Sequence, residues 1–490
     1  MNLPPQPADV NEFDVEYAYR TMFILVGFNF MILYIEGMLT PSLPSIAAGF
    51  GISSAEVSLV LALYFVSGIA LAPIVGKLGD IYGKKRILVY VLLVYSAAIT
   101  MTGFSPTFPF MLVSRAVQGV GLAVMPLAMS IFREEFPREV IPRAQGIISG
   151  MFGIGTAISL PLGALVSNMF GWQTTYHTAI PFVLLLTYLV YSQVRESPYT
   201  RPGAKVDHIG AALLGGSLVL IVLAISLSPA LAGSGVNPLW LLAAGLLLLP
   251  LLAVYEQYYQ KNVGDPILNL RLLSMRNVAR THVTFAIASL GMFLAFQAYA
   301  YRLELPPPVG FGFDIFMAGL SLLPFAVAIA IFAPLTGRLV PRFGVKPVAL
   351  AGAVVGASGF LLSSVSESST SFIFAIFVTG SGIAMLNAST INLLVLTVDP
   401  QDMGIATSMN AVFRNLGRSI GAPIAGALIA TFTVTVTSNG TLQTLPTAQA
   451  FQYTFSIAAA LFILIAFVIF GAEEVLGPGA KDTGPSTQGR

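Results

Sequence analysis

The chain has no cysteine, only three histidines and two tryptophans, and only 9% charged residues in a length of 490. Without cysteine there are no disulfides, no thiolate metal sites and no thiol catalysis. The shortage of charge excludes more. Ordinary soluble domains carry about 25% charged residues, and a chain that is 56% hydrophobic has too little polar surface to cover a soluble body of this length. Nucleic acid is not expected as a partner, because no basic tract with interleaved aromatics occurs. His177, His208 and His282 show no metal-ligand spacing, so neither a metal nor another cofactor is expected. No G-x-x-x-x-G-K-[ST] string is present, which argues against direct drive by ATP, and no catalytic constellation marks an enzyme.

What is present is a series of long apolar runs, such as Thr21 to Leu43 and Ile209 to Leu227. As helices these cross roughly 30 Å of hydrocarbon. Stretches bounded by charge, Gly or Pro clusters give about fourteen spans. The N-terminal segment carries Asp9, Glu12, Asp14 and Glu16 where a signal peptide would be basic, so the first span is expected to be retained. With a cytoplasmic N-terminus, alternate loops on that side hold Lys77, Lys84, Lys85, Arg86, Arg133, Arg195, Lys205, Arg276, Arg338 and Lys346 among others, and the opposite loops hold only Arg302. Positive charge on the cytoplasmic side places both termini there, in the cell membrane.

Laying the chain over itself at an offset of about 261 residues brings Gly76 to Arg86 (GKLGDIYGKKR) opposite Gly337 to Pro347 (GRLVPRFGVKP), and Gly119 and Gly121 opposite Gly380 and Gly382. A slightly shorter offset pairs Gly163 with Gly421. The expected fold is an all-α polytopic membrane protein of two pseudo-symmetric six-helix bundles with a two-helix insert. The expected layout is a cytoplasmic tail over 1–20, a first bundle over 21–200, a linker with two extra helices over 201–260, a second bundle over 261–472 and a cytoplasmic tail over 473–490. Repeats of this kind put a binding site at the interface between halves near mid-membrane.

The loop Gly76-Lys-Leu-Gly79-Asp80-Ile-Tyr-Gly83-Lys-Lys-Arg86 resembles the helix 2 to 3 signature of the major facilitator superfamily, and Arg115-Ala-Val-Gln118-Gly119 resembles its second signature. Gly171-Trp172, Asp207-His-Ile-Gly210, Asp265-Pro-Ile-Leu and Arg414-Asn-Leu-Gly-Arg418 are similar to the fourteen-span drug:proton antiporter branch. Two departures stand out. The glycine-rich helix 5 reads Gly150, Gly153, Gly155, Ser159-Leu-Pro161-Leu-Gly163 without the branch's Gly-Pro pair. The helix 1 acid is Glu36, one place nearer Pro44 than the usual Asp.

The resemblance implies a latch at Gly76, Gly79, Asp80, Gly83 and Arg86 that stabilises one conformation; the segment also reads as a basic turn that sets topology. For Gly150, Gly153, Gly155, Pro161 and Gly163 a conformational hinge and plain helix packing both stand. Glu36 and Arg115 each lie about 10 Å deep at roughly 1.5 Å per residue, and are expected to pair and couple protons. Arg414 and Arg418 share a helix face and are candidate gating residues, with headgroup contact or structural closure as the alternatives. Tyr34, Phe65, Met125, Phe293, Gln297, Met385, Asn387 and Asn410 are candidates to line a substrate cavity, although any one aromatic or Met is more often packing. The expected activity is secondary transport by alternating access, with protons and an amphipathic or cationic small molecule as partners and lipid as solvent. The altered helix 5 motif keeps a uniporter or symporter of a nutrient or envelope precursor open, as does a non-transporting receptor or scaffold.

Overall fold

The computed structural model describes residues 15–135, 155, 158–196, 200, 205–228, 237–264, 266–398, 402–438 and 441–475. Gly150, Gly153, Asp265 and most of both expected tails lie outside the described residues. In hydrocarbon every backbone amide must be satisfied within its own segment, so apolar runs of this length close as helices. In chain order these are α1 Val15–Leu39, α2 Leu43–Phe50, α3 Ser54–Val57, α4 Leu59–Tyr82, α5 Lys84–Gly103, α6 Phe108–Gln118 and α7 Val124–Glu135. They continue with α8 Ile158–Phe170, then α9 Trp172–Gln193, α10 His208–Ser226, α11 Leu239–Asn262, α12 Leu270–Ser274 and α13 Arg276–Glu304. The last five are α14 Ile315–Phe343, α15 Val345–Val365, α16 Ser369–Thr397, α17 Met403–Thr431 and α18 Ala448–Phe470.

Among the described residues, eleven helices, some made of adjoining segments, are long and apolar enough to cross a membrane. The helices α8, α9 and α17 run among them without meeting that measure. One element departs from the all-α expectation: Thr433–Ser438 (β1) and Thr441–Pro446 (β2) form an antiparallel hairpin between α17 and α18, with Thr433 opposite Pro446. Alternating Thr and Val in β1 is strand chemistry, and a strand of 6 residues is too short to register as a span.

The internal repeat is carried into the packing. A Cβ on Gly119 would stand 2.5 Å from the Tyr64 carbonyl oxygen, and one on Gly380 would stand 2.8 Å from that of Phe325. Gly121 meets the Tyr95 ring, and Gly382 meets the backbone of Gly356. Each of these contacts in the second half falls at the same offset of about 261 residues from its counterpart in the first. Small residues here let helix backbones approach where lipid offers no hydrophobic drive. The helices α10 and α11 pack on each other, and α10 lies against both α4 and α17. Leu214, Leu218 and Val222 of α10 share an apolar cluster with Leu59 and Val66 of α4 and Val412 of α17, so α10 bridges those two helices.

The two ends of the bundle differ. At the end holding α3, Ser54 Oγ donates to the Gly426 carbonyl oxygen at 3.1 Å, and Gln297 Nε2 donates to the Ser54 carbonyl oxygen at 2.9 Å. A Cβ on Gly319 of α14 would come within 2.9 Å of the Leu160 carbonyl oxygen on α8. At the far end of α4, about 36 Å away by helical rise, a Cβ on Gly76 or on its repeat partner Gly337 would meet nothing within 4 Å. The halves are hydrogen-bonded to each other at the Ser54 end, and the Gly76 and Gly337 positions each have open space beside them.

Candidate functional site

Glu36 lies in the last turn of α1, and its Oε1 accepts a hydrogen bond from Arg418 Nη1 of α17 at 3.3 Å. Both side chains are 13% exposed, so the ion pair is nearly out of water. The guanidinium carbon of Arg418 stands 5.3 Å from the Phe65 ring centre and 5.4 Å from that of Phe293, and the two rings meet edge to face at 5.0 Å. A guanidinium held against ring faces at this range gains about 0.5–2 kcal/mol. The site therefore draws on α1 and α4 from the first half and on α13 and α17 from the second. A carboxylate, a cation and two aromatic rings occupy the seam.

The helix that carries Glu36 is held by small residues. A Cβ on Gly37 would fall on the Ser159 side chain, one on Gly163 would stand 2.2 Å from Met38 Cβ, and one on Gly155 would stand 3.2 Å from Leu33 Cβ. Gly155, Ser159 and Gly163 recur every four residues, which is the spacing of one helix face. These contacts fix α1 against α8 on either side of Glu36. Pro161 is half-buried on the same helix. Ser159 was quoted in the motif but given no role, although its spacing from both glycines was a usable signal.

The expected pairing of Glu36 with Arg115 is not what the structure shows. Arg115 is 0% exposed and turns toward α4: its Nε donates to the Val60 carbonyl oxygen at 2.9 Å, its Nη1 to Gln118 Oε1 at 2.9 Å, and its guanidinium stacks on the Tyr64 ring at 4.6 Å. Equal depth was the basis for pairing them, but depth does not say which face of α6 looks at α1. Full burial keeps the Arg115 guanidinium within the bundle.

Of the expected cavity residues, only Phe65 and Phe293 meet the ion pair. Tyr34 is buried in the core and Met125 packs half-buried against it. Gln297 closes the Ser54 end, Met385 packs beside Val340, Val345 and Val348, and Asn387 is exposed on α16. Asn410 is buried on α17 with its Nδ2 unpartnered. Arg414 is half-buried one turn before Arg418.

In the latch segment, Asp80 reaches Lys84 at 3.8 Å within its own turn rather than Arg86. Gly83 has φ of 102°, a left-handed-side value that a side chain would strain, and it opens the N-terminus of α5 to a carboxylate. Glu196 takes the position: its Oε1 accepts from the Lys85 amide and its Oε2 from the Arg86 amide, both at 2.9 Å. The second half repeats the device. Gly344 has φ of 95°, and Glu474 accepts from the Val345 and Lys346 amides at 2.9 and 3.0 Å. A carboxylate on unsatisfied N-terminal amides also meets the positive end of the helix dipole. Neither glutamate was singled out from sequence, since each lies more than 100 residues from the helix it caps.

Among the described residues no group of three or more His, Asp or Glu could hold a metal ion. Long apolar helices in a repeated architecture, with an ion pair on the seam, describe a multi-pass membrane transporter. The family model of the Major Facilitator Superfamily matches residues 23–422 and 281–488, and the chain belongs to that superfamily. Its family and fold are those of transporters of small molecules, not of enzymes. The multidrug resistance protein Stp of Mycobacterium tuberculosis (strain CDC 1551 / Oshkosh) is 24% identical over 418 residues, covering 83% of this chain and 75% of Stp. The multidrug transporter protein MdtP of Bacillus subtilis (strain 168) is 24% identical over 374 residues, covering 75% of this chain and 67% of its own. A bacterial homolog of the human lysosomal transporter Spinster, solved inward-facing and unoccupied, shares the fold with a TM-score of 0.67 at 14% identity, covering 93% of this chain and 98% of that one.

Proposed function

We propose that this transporter exports amphipathic or cationic small molecules across the cytoplasmic membrane in exchange for protons, by alternating access between two six-helix bundles with α10 and α11 as the insert of a fourteen-span chain. The observation that carries the reading is the Glu36–Arg418 pair, which joins the two halves against Phe65 and Phe293. With both termini cytoplasmic, the Ser54 end faces outward and the conformation is open to the cytoplasm.

A cation entering from the open end is drawn to the carboxylate that holds Arg418 and to the same two ring faces, so it competes with the guanidinium for them. Once the bundle opens outward, a proton arriving on Glu36 cancels the charge that retains the cation, and the cation leaves. After return, Glu36 gives the proton to the cytoplasm and pairs again with Arg418. Each state is selected by the interaction it makes and the other does not. The segment Gly76, Gly79, Asp80, Gly83 and Arg86, which packs on Leu127 and Glu196 of its own half, is the latch that engages the second half when the cytoplasmic end closes. The multidrug names of Stp and MdtP support a substrate range of this kind.

Inverted vesicles test the exchange. With an acid interior established, adding members of an amphipathic cation panel should release protons from vesicles that contain the protein and not from empty ones. If no member of the panel collapses the gradient while the protein is present in the membrane, proton exchange is ruled out as the coupling.

A further inference from the structure

The helix starts capped by Glu196 and Glu474 share a second feature that capping leaves unused. Lys85 Nζ lies over the Tyr191 ring at 5.8 Å, and Lys346 Nζ lies over the Phe470 ring at 4.8 Å. The two lysines stand 261 residues apart, at the offset of the internal repeat, and each ring belongs to the last turn of the helix that leads to the capping glutamate. Tyr191 is 64% exposed and Phe470 69%. Three residues before each lysine stands another exposed ring, Tyr82 in the first half and Phe343 in the second.

What recurs between the halves here is selective. With Ile81–Arg86 laid on Arg342–Pro347, the aromatic residue, the glycine and the second lysine return, while Lys84 falls on Val345 and Arg86 on Pro347. The glycine opens the helix start to its cap. The lysine side chain has no such duty: its backbone amide meets the glutamate, and its ammonium turns to a ring instead. Each half also carries a second cation beside its lysine, Arg86 in the first and Arg342 in the second, where the guanidinium stands 5.2 Å from the Phe343 ring. Among the described residues none of these four cations has a carboxylate partner.

Their place in the fold says what meets them. Tyr82, Phe343 and Phe470 are the last residues of apolar spans, and Lys84 and Val345 are the first residues of the next ones. At that depth exposed rings sit among lipid headgroups, and a lysine stem lies along apolar surface while its ammonium reaches for phosphate. Two unpaired cations next to an exposed ring match a phosphodiester that carries acyl chains. A zwitterionic headgroup would bring its own ammonium against those cations, and Glu196 and Glu474, turned to the amides, are not there to receive it. A net negative headgroup has no such conflict.

We infer that Lys85 with Arg86 and Tyr191, and Lys346 with Arg342 and Phe470, form two pseudo-symmetric sites for the phosphate of an anionic glycerophospholipid. In the orientation proposed above both lie in the cytoplasmic leaflet. The binding itself rests neither on that orientation nor on proton exchange, and it is measured without a substrate or a gradient.

The test is native mass spectrometry of the delipidated full-length chain, titrated in detergent with phosphatidylglycerol or with phosphatidylcholine at fixed ionic strength. The wild type should hold two molecules of phosphatidylglycerol in a saturable way, and phosphatidylcholine only at much higher concentration. Lys85→Gln combined with Arg86→Gln keeps the amides that Glu196 uses and should weaken one site roughly thirtyfold. That is the factor given by about 2 kcal/mol, at about 1 kcal/mol for each basic residue near an anionic surface. Lys346→Gln combined with Arg342→Gln should do the same to the other site, so each variant keeps one tightly held lipid. If a charge variant does not insert, Tyr191→Ala or Phe470→Ala decides for that half, because it keeps every charge and should still release the lipid. Equal retention of the two lipids, or an unchanged count of two in the variants, would overturn the inference. The same loss from Lys261→Gln combined with Arg338→Gln, two exposed basic residues outside the sites, would assign the effect to the basic face as a whole and overturn it too. Displacement of the lipid by millimolar inorganic phosphate would make the ligand a free anion, and a loss confined to one half would overturn the paired arrangement.

Discussion

Glu36 was legible from sequence as an acid inside a span, and the rings at Phe65 and Phe293 as cavity candidates. Arg418 was read as a gating residue and its partner was not read at all, because the two groups lie 382 residues apart and no local spacing connects them. Arg115 was legible for its burial and misassigned in its contact, since sequence gives depth along a helix but not the turn of its face toward a neighbour. The geometry of the pair sets a specific expectation for the rings. Phe65→Leu and Phe293→Leu keep an apolar side chain and lose the quadrupole, so each should weaken uptake of a cationic substrate roughly 2- to 30-fold, matching about 0.5–2 kcal/mol. A neutral amphiphile of the same shape should be carried nearly as before. Equal loss for both substrates in a competition assay would show that the rings serve packing and not the cation.

At the scale of elements, the glycine pattern of α8 was legible, but its meaning rested on what faces it. The contacts of Gly155, Ser159 and Gly163 with Leu33, Gly37 and Met38 are those of helix packing, and they hold the helix that bears Glu36. Gly163→Val should therefore lower the yield of folded protein and its melting temperature, because the new side chain meets Met38 in a site with no room to relax. Gly76→Val should leave the melting temperature unchanged in this conformation, where nothing stands within 4 Å, while slowing transport if the latch closes on that face. Equal thermal effects from the two variants would contradict the assignment of α8 to packing and of Gly76 to an open face. The capping glutamates make a second expectation. Glu196→Gln and Glu474→Gln each leave one carboxylate oxygen's worth of acceptor missing at a helix start, a loss of about 0.5–2 kcal/mol. Their effects on unfolding should add, because the two sites lie in different halves. No shift from either would show that these caps are incidental.

For the whole molecule, the repeat at an offset of about 261 residues was legible and reappears in the close approaches of Gly119 and Gly380 and of Gly121 and Gly382. The helices α9 and α17 fall short of the apolar measure of a span, and both carry polar side chains at packed positions, among them Thr175, Thr187, Asn410 and Ser419. The hairpin was illegible to a reading that looked for long apolar runs. Which end is closed could not be read from sequence either, since it depends on hydrogen bonds such as Ser54 with Gly426 across 372 positions. The absence of cysteine now becomes useful. Spin labels on Gly76→Cys and Gly337→Cys should report a long distance in the present conformation and a shorter one as the cytoplasmic end closes. Asp80→Asn should reduce the short-distance population. A single distance across all pH and substrate conditions would contradict alternating access at this end.

The central claim is that Glu36 carries the exchanged proton, and Glu36→Gln in proteoliposomes tests it most directly, because the substitution keeps shape and hydrogen bonding and removes titration. Uptake of a radiolabelled cation should be followed twice, once driven by a pH gradient and once as exchange against unlabelled cation with no gradient. The account expects Glu36→Gln to lose gradient-driven accumulation while retaining a measurable fraction of exchange. Accumulation driven by the gradient at near wild-type rates in that variant would contradict it.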